Sequence, residues 1–475
     1  MGSLGNLESP PPPTSRISTV VPATPRGDQN DAYQLSYMDL LMKLHYIRSV
    51  FFFASKSVQG LTISDLKRPM FPLLDAYSHV SGRIRRSERG RPFVKCNDAG
   101  VRIAESERDV TLREWFDENI NGCVRELEVD DDGLVHDHVL GPDLGFSPLV
   151  FVKFTWFKCG GLCVGLSWAH VLGDAFSALD FITKWSNMLS GHVPPKSLPM
   201  PNNQIAPHEE IIMQPINNNN NSNSILVSEN PTSIKRATIE GEYWLATNVS
   251  HVATHSFHVT SKQLHHLVKA TYNNNNNNNN NNGPRNKYFE IISALIWKCV
   301  TNIRGNVGSM AVTICTKSCN GSKHGENELF PSNNNGLVLS KIEACLESDI
   351  SELARIIAEK KMVENHIVKK LVEKEDDEGK EEDFVVYGAN LTFVDLEEAD
   401  LFGVKLNGHK PIMANCSFRG VGDKGVVLVF PAPSGGEENE DDDGDDNNGR
   451  IVTVSLPVKE LSQLKNKLRG EWGIV

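Results

Sequence analysis

Two apolar runs, Ser147 to Phe157 and Leu162 to Trp168, flank Gly160-Gly161 and constrain this chain more than any other feature. Runs of Val, Phe, Trp and Leu at strand length, joined by glycines that turn without steric cost, form a β-hairpin. The second run leads straight into His170-Val171-Leu172-Gly173-Asp174. Beyond it Ala178, Phe181, Ile182, Trp185, Met188 and Leu189 recur on one helical face until Gly191, with Pro194 following. The order is strand, histidine-bearing loop, helix.

The flanking sequence alternates the same two kinds of element. Arg16 to Val21 alternates like a strand, and Ser36 with Asp39 forms a capping box that predicts a helix through Val50. Strand-like Arg91 to Cys96 and Val101 to Ala104 flank the turn residues Asn97, Asp98 and Gly100. From Gly191 to Gly241 the chain is rich in Pro and Asn and lacks periodicity, the mark of a linker or long crossover. Past it, the pattern predicts helices at Tyr288 to Ile303 and Ile350 to Met362, and strands at Met310 to Cys315, Phe384 to Val394 and Gly425 to Phe430. A last strand, Arg450 to Leu456, precedes a helix with Leu461, Leu464 and Leu468 in register. The expected organisation is a disordered leader over 1–15, a first domain over 16–191, a crossover over 192–245 and a second domain over 246–475, both domains α/β.

Low complexity interrupts the second half. The asparagine runs 217–221 and 273–282, and the acidic tracts 373–383 and 437–446, are expected to be solvated loops. The tracts hold much of the acidity behind a net charge of −12, which argues against a surface built to attract nucleic acid or anionic lipid. No apolar run reaches membrane-spanning length, and Met1 to Arg16 lacks the apolar core of a signal peptide, so the cytosolic side is expected, with the nucleus open to it. Asn6 departs from the myristoylation pattern that Met1-Gly2 would open. Nine cysteines without a secretory signal are expected to be reduced. The pairs Cys159/Cys163 and Cys315/Cys319 have the wrong spacing for a zinc site and are expected to be buried and structural, so no metal is expected.

The candidate chemistry centres on His170. A neutral imidazole at a strand end can take a proton from a hydroxyl or amine, Gly173 permits a tight turn, and Asp174 supports the loop. Gly165-Leu166-Ser167-Trp168-Ala169 approaches a nucleophile elbow. It lies within a strand and ends in Ala, where an elbow needs a sharp strand-to-helix turn.

His170 to Asp174, preceded by Phe157-Lys158-Cys159-Gly160-Gly161 and followed by Trp185, resembles the HXXXD motif of the BAHD acyltransferases. Val80-Ser81-Gly82-Arg83-Ile84 and Phe289 through Cys299 resemble two further strips of that family. The resemblance implies two similarly sized chloramphenicol-acetyltransferase-like domains, each a mixed sheet with flanking helices, joined by a crossover and enclosing a channel. His170 would lie at the domain junction beside that channel and act as general base toward an acyl-CoA thioester, with Asp174 supporting the loop. Acyl-CoA would be substrate or ligand, with no bound cofactor.

The second family motif, DFGWG before Lys-Pro, departs from the pattern. Here Lys405-Leu406-Asn407-Gly408-His409 precedes Lys410-Pro411. Ala175 follows Asp174 where Gly is usual, and Thr316-Lys317-Ser318 stands where the family supplies an arginine partner for the aspartate. Met38-Asp39-Leu40 with Lys43-Leu44-His45-Tyr46, Lys95-Cys96-Asn97-Asp98, Asp137 to Leu144, Tyr387 to Phe393 and Gly420 to Gly425 resemble the Eceriferum-2-like (Glossy2-like) branch of plant wax proteins, which shares the broken motif. That resemblance implies an accessory role in very-long-chain fatty acid elongation, beside a 3-ketoacyl-CoA synthase at the cytosolic face of the endoplasmic reticulum. The other reading is an acyl-CoA-dependent O- or N-acyltransferase with His170 as base.

Overall fold

Strands rich in Val, Phe and Trp bury both faces only if helices or a second sheet cover them, and this chain builds two such sheets. The computed structural model describes residues 16–25, 31–119, 133–193, 231–246, 252–272, 287–305, 309–317, 332–333, 337–345, 347–377, 383–433 and 449–474. The expected hairpin pairs Val150–Phe157 with Leu162–Ala169 antiparallel and turns at Gly160, whose φ of 79° favours glycine. It lies inside a six-stranded mixed sheet ordered Arg16–Val20, Val101–Arg108, Val150–Phe157, Leu162–Ala169, Tyr46–Phe53 and Met413–Arg419. The second sheet has seven strands, ordered Val252–Val259, Arg450–Pro457, Val426–Pro431, Leu391–Asp395, Ser309–Lys317, Leu337–Cys345 and Met362–Val363. Its central pairs are parallel, and Lys287–Arg304, Ile350–Glu359 and Val458–Trp472 pack their apolar faces on it. The chain is a two-domain, chloramphenicol-acetyltransferase-like α/β fold.

The sheets do not divide the chain at one point. Met413–Arg419, from the second half, pairs antiparallel with Tyr46–Phe53 and completes the first sheet. Its Asn415 reaches across the seam, donating through Nδ2 to Ser256 Oγ at 2.7 Å and accepting through Oδ1 from Thr453 Oγ1 at 2.9 Å. A third sheet of Ala32–Gln34, Pro92–Lys95 and Arg83–Arg86 flanks the first, so the two strands expected around Asn97 belong to different sheets.

Several expectations need correction. The capping box is present, with Ser36 and Asp39 bonding reciprocally, yet its helix covers only Tyr37–Leu41. Tyr46 to Phe53 is a strand with every residue buried, and a continuous β-branched and aromatic run of that kind mimics helical spacing. The predicted strand from Phe384 to Val394 is two strands, Asp383–Val385 and Leu391–Asp395, broken at Gly388 with φ 86°. The acidic stretch beginning at Glu373 continues the helix Asn365–Asp377, which a Lys369–Glu373 pair one turn apart supports, and Asp383 is a buried strand residue paired with Lys43. Cys163 and Cys315 are buried as expected, but Cys159 is exposed in the hairpin turn. The leader 1–15, both asparagine runs, the tract 437–446 and crossover residues 194–230 lie outside the described residues.

Candidate functional site

The strand Leu162–Ala169 ends at the seam between the sheets, and the chain turns there through a single 3₁₀ turn, His170–Leu172. Gly173, at φ 149°, makes the exit: a Cβ at that position would meet Ser177 Oγ at 2.7 Å. Its carbonyl accepts from Trp168 Nε1 at 3.1 Å. Asp174 then caps the Ala175–Leu189 helix, accepting from the Ser177 N–H at 2.9 Å and the Ser177 hydroxyl at 3.0 Å. The loop is therefore held by its own hydrogen bonds.

His170 is fully buried. Its Nε2 shares a hydrogen bond with the Tyr387 hydroxyl at 2.9 Å, across 217 residues of sequence. Tyr387 comes from the break between the two short strands of the second half, and it is buried as well. Phe418 lies edge-on to the imidazole at 5.7 Å and against the Tyr387 ring at 4.6 Å. His45 packs edge-on to Tyr387 at 4.8 Å, accepts the Val386 N–H on Nε2 at 3.1 Å, and offers its carbonyl to the His170 N–H at 3.1 Å. Burial pulls the His170 imidazole down to about 4 and the His45 imidazole down to about 3, so both are neutral at physiological pH. The same burial holds the Tyr387 phenol well above its ordinary value.

A second buried group ties this centre to the rest of the chain. Asp39 accepts through Oδ2 from the Tyr33 hydroxyl at 3.0 Å and from Ser36 N–H at 2.9 Å. Through Oδ1 it accepts from the Asn333 N–H at 2.9 Å and Asn333 Nδ2 at 3.1 Å. Asn333 Nδ2 also donates to the His170 carbonyl at 2.7 Å. Burial raises the Asp39 carboxyl, and the bonds from Ser36, Asn333 and Tyr33 oppose that rise.

Beside Tyr387 a recess lined by Asp174, Phe176, Cys315, Lys317 and Phe418 encloses only about 10 Å³, no more than one water needs. The imidazole Nε2 thus faces the Tyr387 hydroxyl. Lys317 does not replace the family's arginine: its ammonium lies 3.9 Å from Glu398 and over the Phe176 ring, and reaches Asp174 only as a charge through space. The Asp174 carboxyl, raised by burial, has its bonds within its own helix.

Where the second motif would stand, Leu406 and His409 exchange both backbone hydrogen bonds around Asn407 at φ 48° and Gly408 at φ 79°. Two left-handed central residues make a type I′ turn, for which Asn-Gly is the preferred pair. Leu406 is buried and Lys405 N–H donates to Ser186 Oγ at 3.0 Å, so the turn docks on the helix that Asp174 caps. Ser167 lies in mid-strand opposite Arg48 and Phe151, a placement with no elbow geometry.

Sequence reasoning singled out His170 and Asp174 but did not identify Tyr387, His45, Asp39 and Asn333 as parts of the centre around His170. Three of these residues stood in strips that resemble the wax-protein branch, yet no spacing along the chain shows that they converge. Among the described residues no group of three or more His, Cys, Asp and Glu is arranged to hold a metal, and no helix is long and apolar enough to cross a membrane.

Residues 14–469 match the Transferase family. Protein ECERIFERUM 2 of Arabidopsis thaliana is 38% identical over 97% of this chain and 99% of its own length. Protein ECERIFERUM 26-like of Arabidopsis thaliana is 32% identical over 99% and 98%. Among solved structures, vinorine synthase superposes with a TM-score of 0.65 at 15% identity, covering 97% of this chain and 98% of that one. Fusarium graminearum TRI101, crystallised with coenzyme A and T-2 mycotoxin, gives 0.64 at 14% identity over 92% and 97%. With near-complete coverage at the level of sequence and the same architecture at the level of fold, this chain belongs to the Transferase (BAHD) family, in its Eceriferum-2-like branch.

Proposed function

We propose that the protein is an accessory component of very-long-chain fatty acid elongation for cuticular wax, acting with a 3-ketoacyl-CoA synthase at the cytosolic face of the endoplasmic reticulum. One observation carries the reading: the nitrogen that an acyltransferase would use as base is held by the Tyr387 hydroxyl inside a closed centre. A general base must lie within hydrogen-bond reach of the acceptor's proton, and here that position is filled by the protein's own phenol. The Asn407-Gly408 turn and, among the described residues, the absence of a cation bonded to Asp174 support the same reading. His170 then serves as a latch between the halves.

Conventional acyl transfer from acyl-CoA keeps one observation in its favour, the neutral imidazole. The two readings separate in a paired experiment. The purified protein is assayed for acyl transfer from a range of acyl-CoAs to alcohols and amines, and the same chain is co-expressed with a 3-ketoacyl-CoA synthase and the acyl chains profiled. Longer chains in co-expression without acyl transfer by the purified protein is the expected result. Acyl transfer in the first assay without chain extension in the second overturns the proposal.

A further inference from the structure

Net charge conceals one strongly basic surface. Arg83–Arg86 and Pro92–Lys95 pair as an antiparallel ribbon, with Arg89 and Gly90 at its turn. Ile84 and Val94 point into the core, so the alternation of a strand places Arg83, Arg85, Phe93 and Lys95 on the opposite face, where Arg83 is buried on the Gly82, Ala99 and Gly100 carbonyls, while Arg91, just before the strand, donates to the Leu35 carbonyl at 3.1 Å. Arg89 and Lys95 are exposed, and Arg85, Arg91 and Phe93 are half-buried. Glu88 is the only acid in the sequence between Arg83 and Lys95, and the Asp143 carboxylate lies at Gly145, where the Arg85 guanidinium also rests.

The Arg85 guanidinium rests on the backbone of Gly145, and the next residue, Phe146, is 77% exposed. This phenyl group is not on a loose loop. The Asp143 carbonyl accepts from Phe146 N–H at 3.1 Å and Ser147 N–H at 3.0 Å, and its Oδ1 accepts from Gly145 N–H at 2.9 Å. An isolated exposed Phe would call for no explanation. A rigidly presented Phe beside a ribbon of cations has the composition of an interfacial anchor, in which the ring enters the acyl boundary and the cations meet anionic headgroups.

We propose that the outward face of the Arg83–Lys95 ribbon, with Phe146, docks the protein on an anionic lipid surface. An acidic protein would meet the cations but not the exposed Phe146 ring, whereas a headgroup layer over an acyl boundary meets both. The inference rests on the membrane-face placement proposed above, and because its test needs neither His170 nor a condensing enzyme, its failure is distinguishable from failure of the elongation reading.

The test is flotation of the full chain with vesicles of phosphatidylcholine alone and with about 30 mol% phosphatidylserine, at ~0.1 M and ~0.5 M salt. Binding to the anionic vesicles at low salt, released at high salt, is expected. Each cation near such a surface contributes roughly fivefold, so Arg89→Glu with Lys95→Glu is expected to weaken binding by about 25-fold or more. Phe146→Ser is expected to weaken it by about fivefold with the salt dependence unchanged. These are surface positions, and circular dichroism checks that each variant is folded. Three outcomes each overturn the proposal: equal binding to neutral vesicles, variants that bind like wild type, or retention on polyglutamate without vesicle binding.

Discussion

The His170 loop and the Asn407-Gly408 turn stand where the sequence resemblance puts two signature motifs, and they differ from those motifs in opposite ways. At the first, the residues of the motif are retained, but the imidazole is closed in by Tyr387, Phe418 and His45. At the second, the motif residues are gone, yet the backbone makes a well-formed hairpin turn docked on Ser186. A kept residue therefore says little about kept chemistry unless its surroundings leave the reactive atom free. A lost motif says little about lost structure when another local solution, here Asn-Gly, fits the same gap.

The largest effect expected from breaking this arrangement lies at Asp39, which supports the His170 loop from below. Asp39→Ala leaves Tyr33, Ser36 and Asn333 donors buried without an acceptor and is expected to cost about 3 to 5 kcal/mol in denaturant unfolding. A loss under about 1 kcal/mol would show that the carboxylate is not the tie between the halves.

The latch itself has a pH signature. An imidazole held at about 4 in the folded state and near 6.5 unfolded gives stability that is full above pH 6.5 and is lost as pH falls toward 4. Buried carboxylates such as Glu397, raised to about 7, act in the opposite sense, so the wild-type curve alone mixes the two. Subtracting the curve of His170→Gln isolates the imidazole. The difference is expected to change by about 1.4 kcal/mol per pH unit between pH 6.5 and 4. A flat difference would mean that the imidazole reaches solvent.

Two smaller effects compare the sites directly. Tyr387→Phe leaves His170 Nε2 buried without its partner and is expected to cost about 1 to 3 kcal/mol. Gly408→Ala meets no neighbour within 4 Å, so only its left-handed backbone opposes the change, and about 1 to 2 kcal/mol is expected. If Gly408→Ala proved the costlier of the two, the turn rather than the latch would be the more constrained region.

Local order was legible in the sequence and long-range closure was not. The hairpin into His170, the helix through Trp185 and the final strand and helix follow from periodicity and turn residues. Tyr46 to Phe53 was misread because a strand buried on both faces loses the alternation that marks it. Met413–Arg419 gives no local sign that it will leave its own half to pair with that strand. Tyr387 could be read as part of a branch-specific strip, but its arrival at His170 depends on how two sheets meet, which no window of sequence encodes.

The most direct test of the latch is chain extension by His170→Ala. The variant and wild type are co-expressed with the same 3-ketoacyl-CoA synthase, matched for folded protein, and scored by the longest acyl chains formed. Essentially unchanged chain lengths are the result expected of a structural imidazole. Loss of the longest chains with the fold intact, on the order of the 10²-fold or more that a general base supplies, would contradict the account and restore His170 as a catalytic residue.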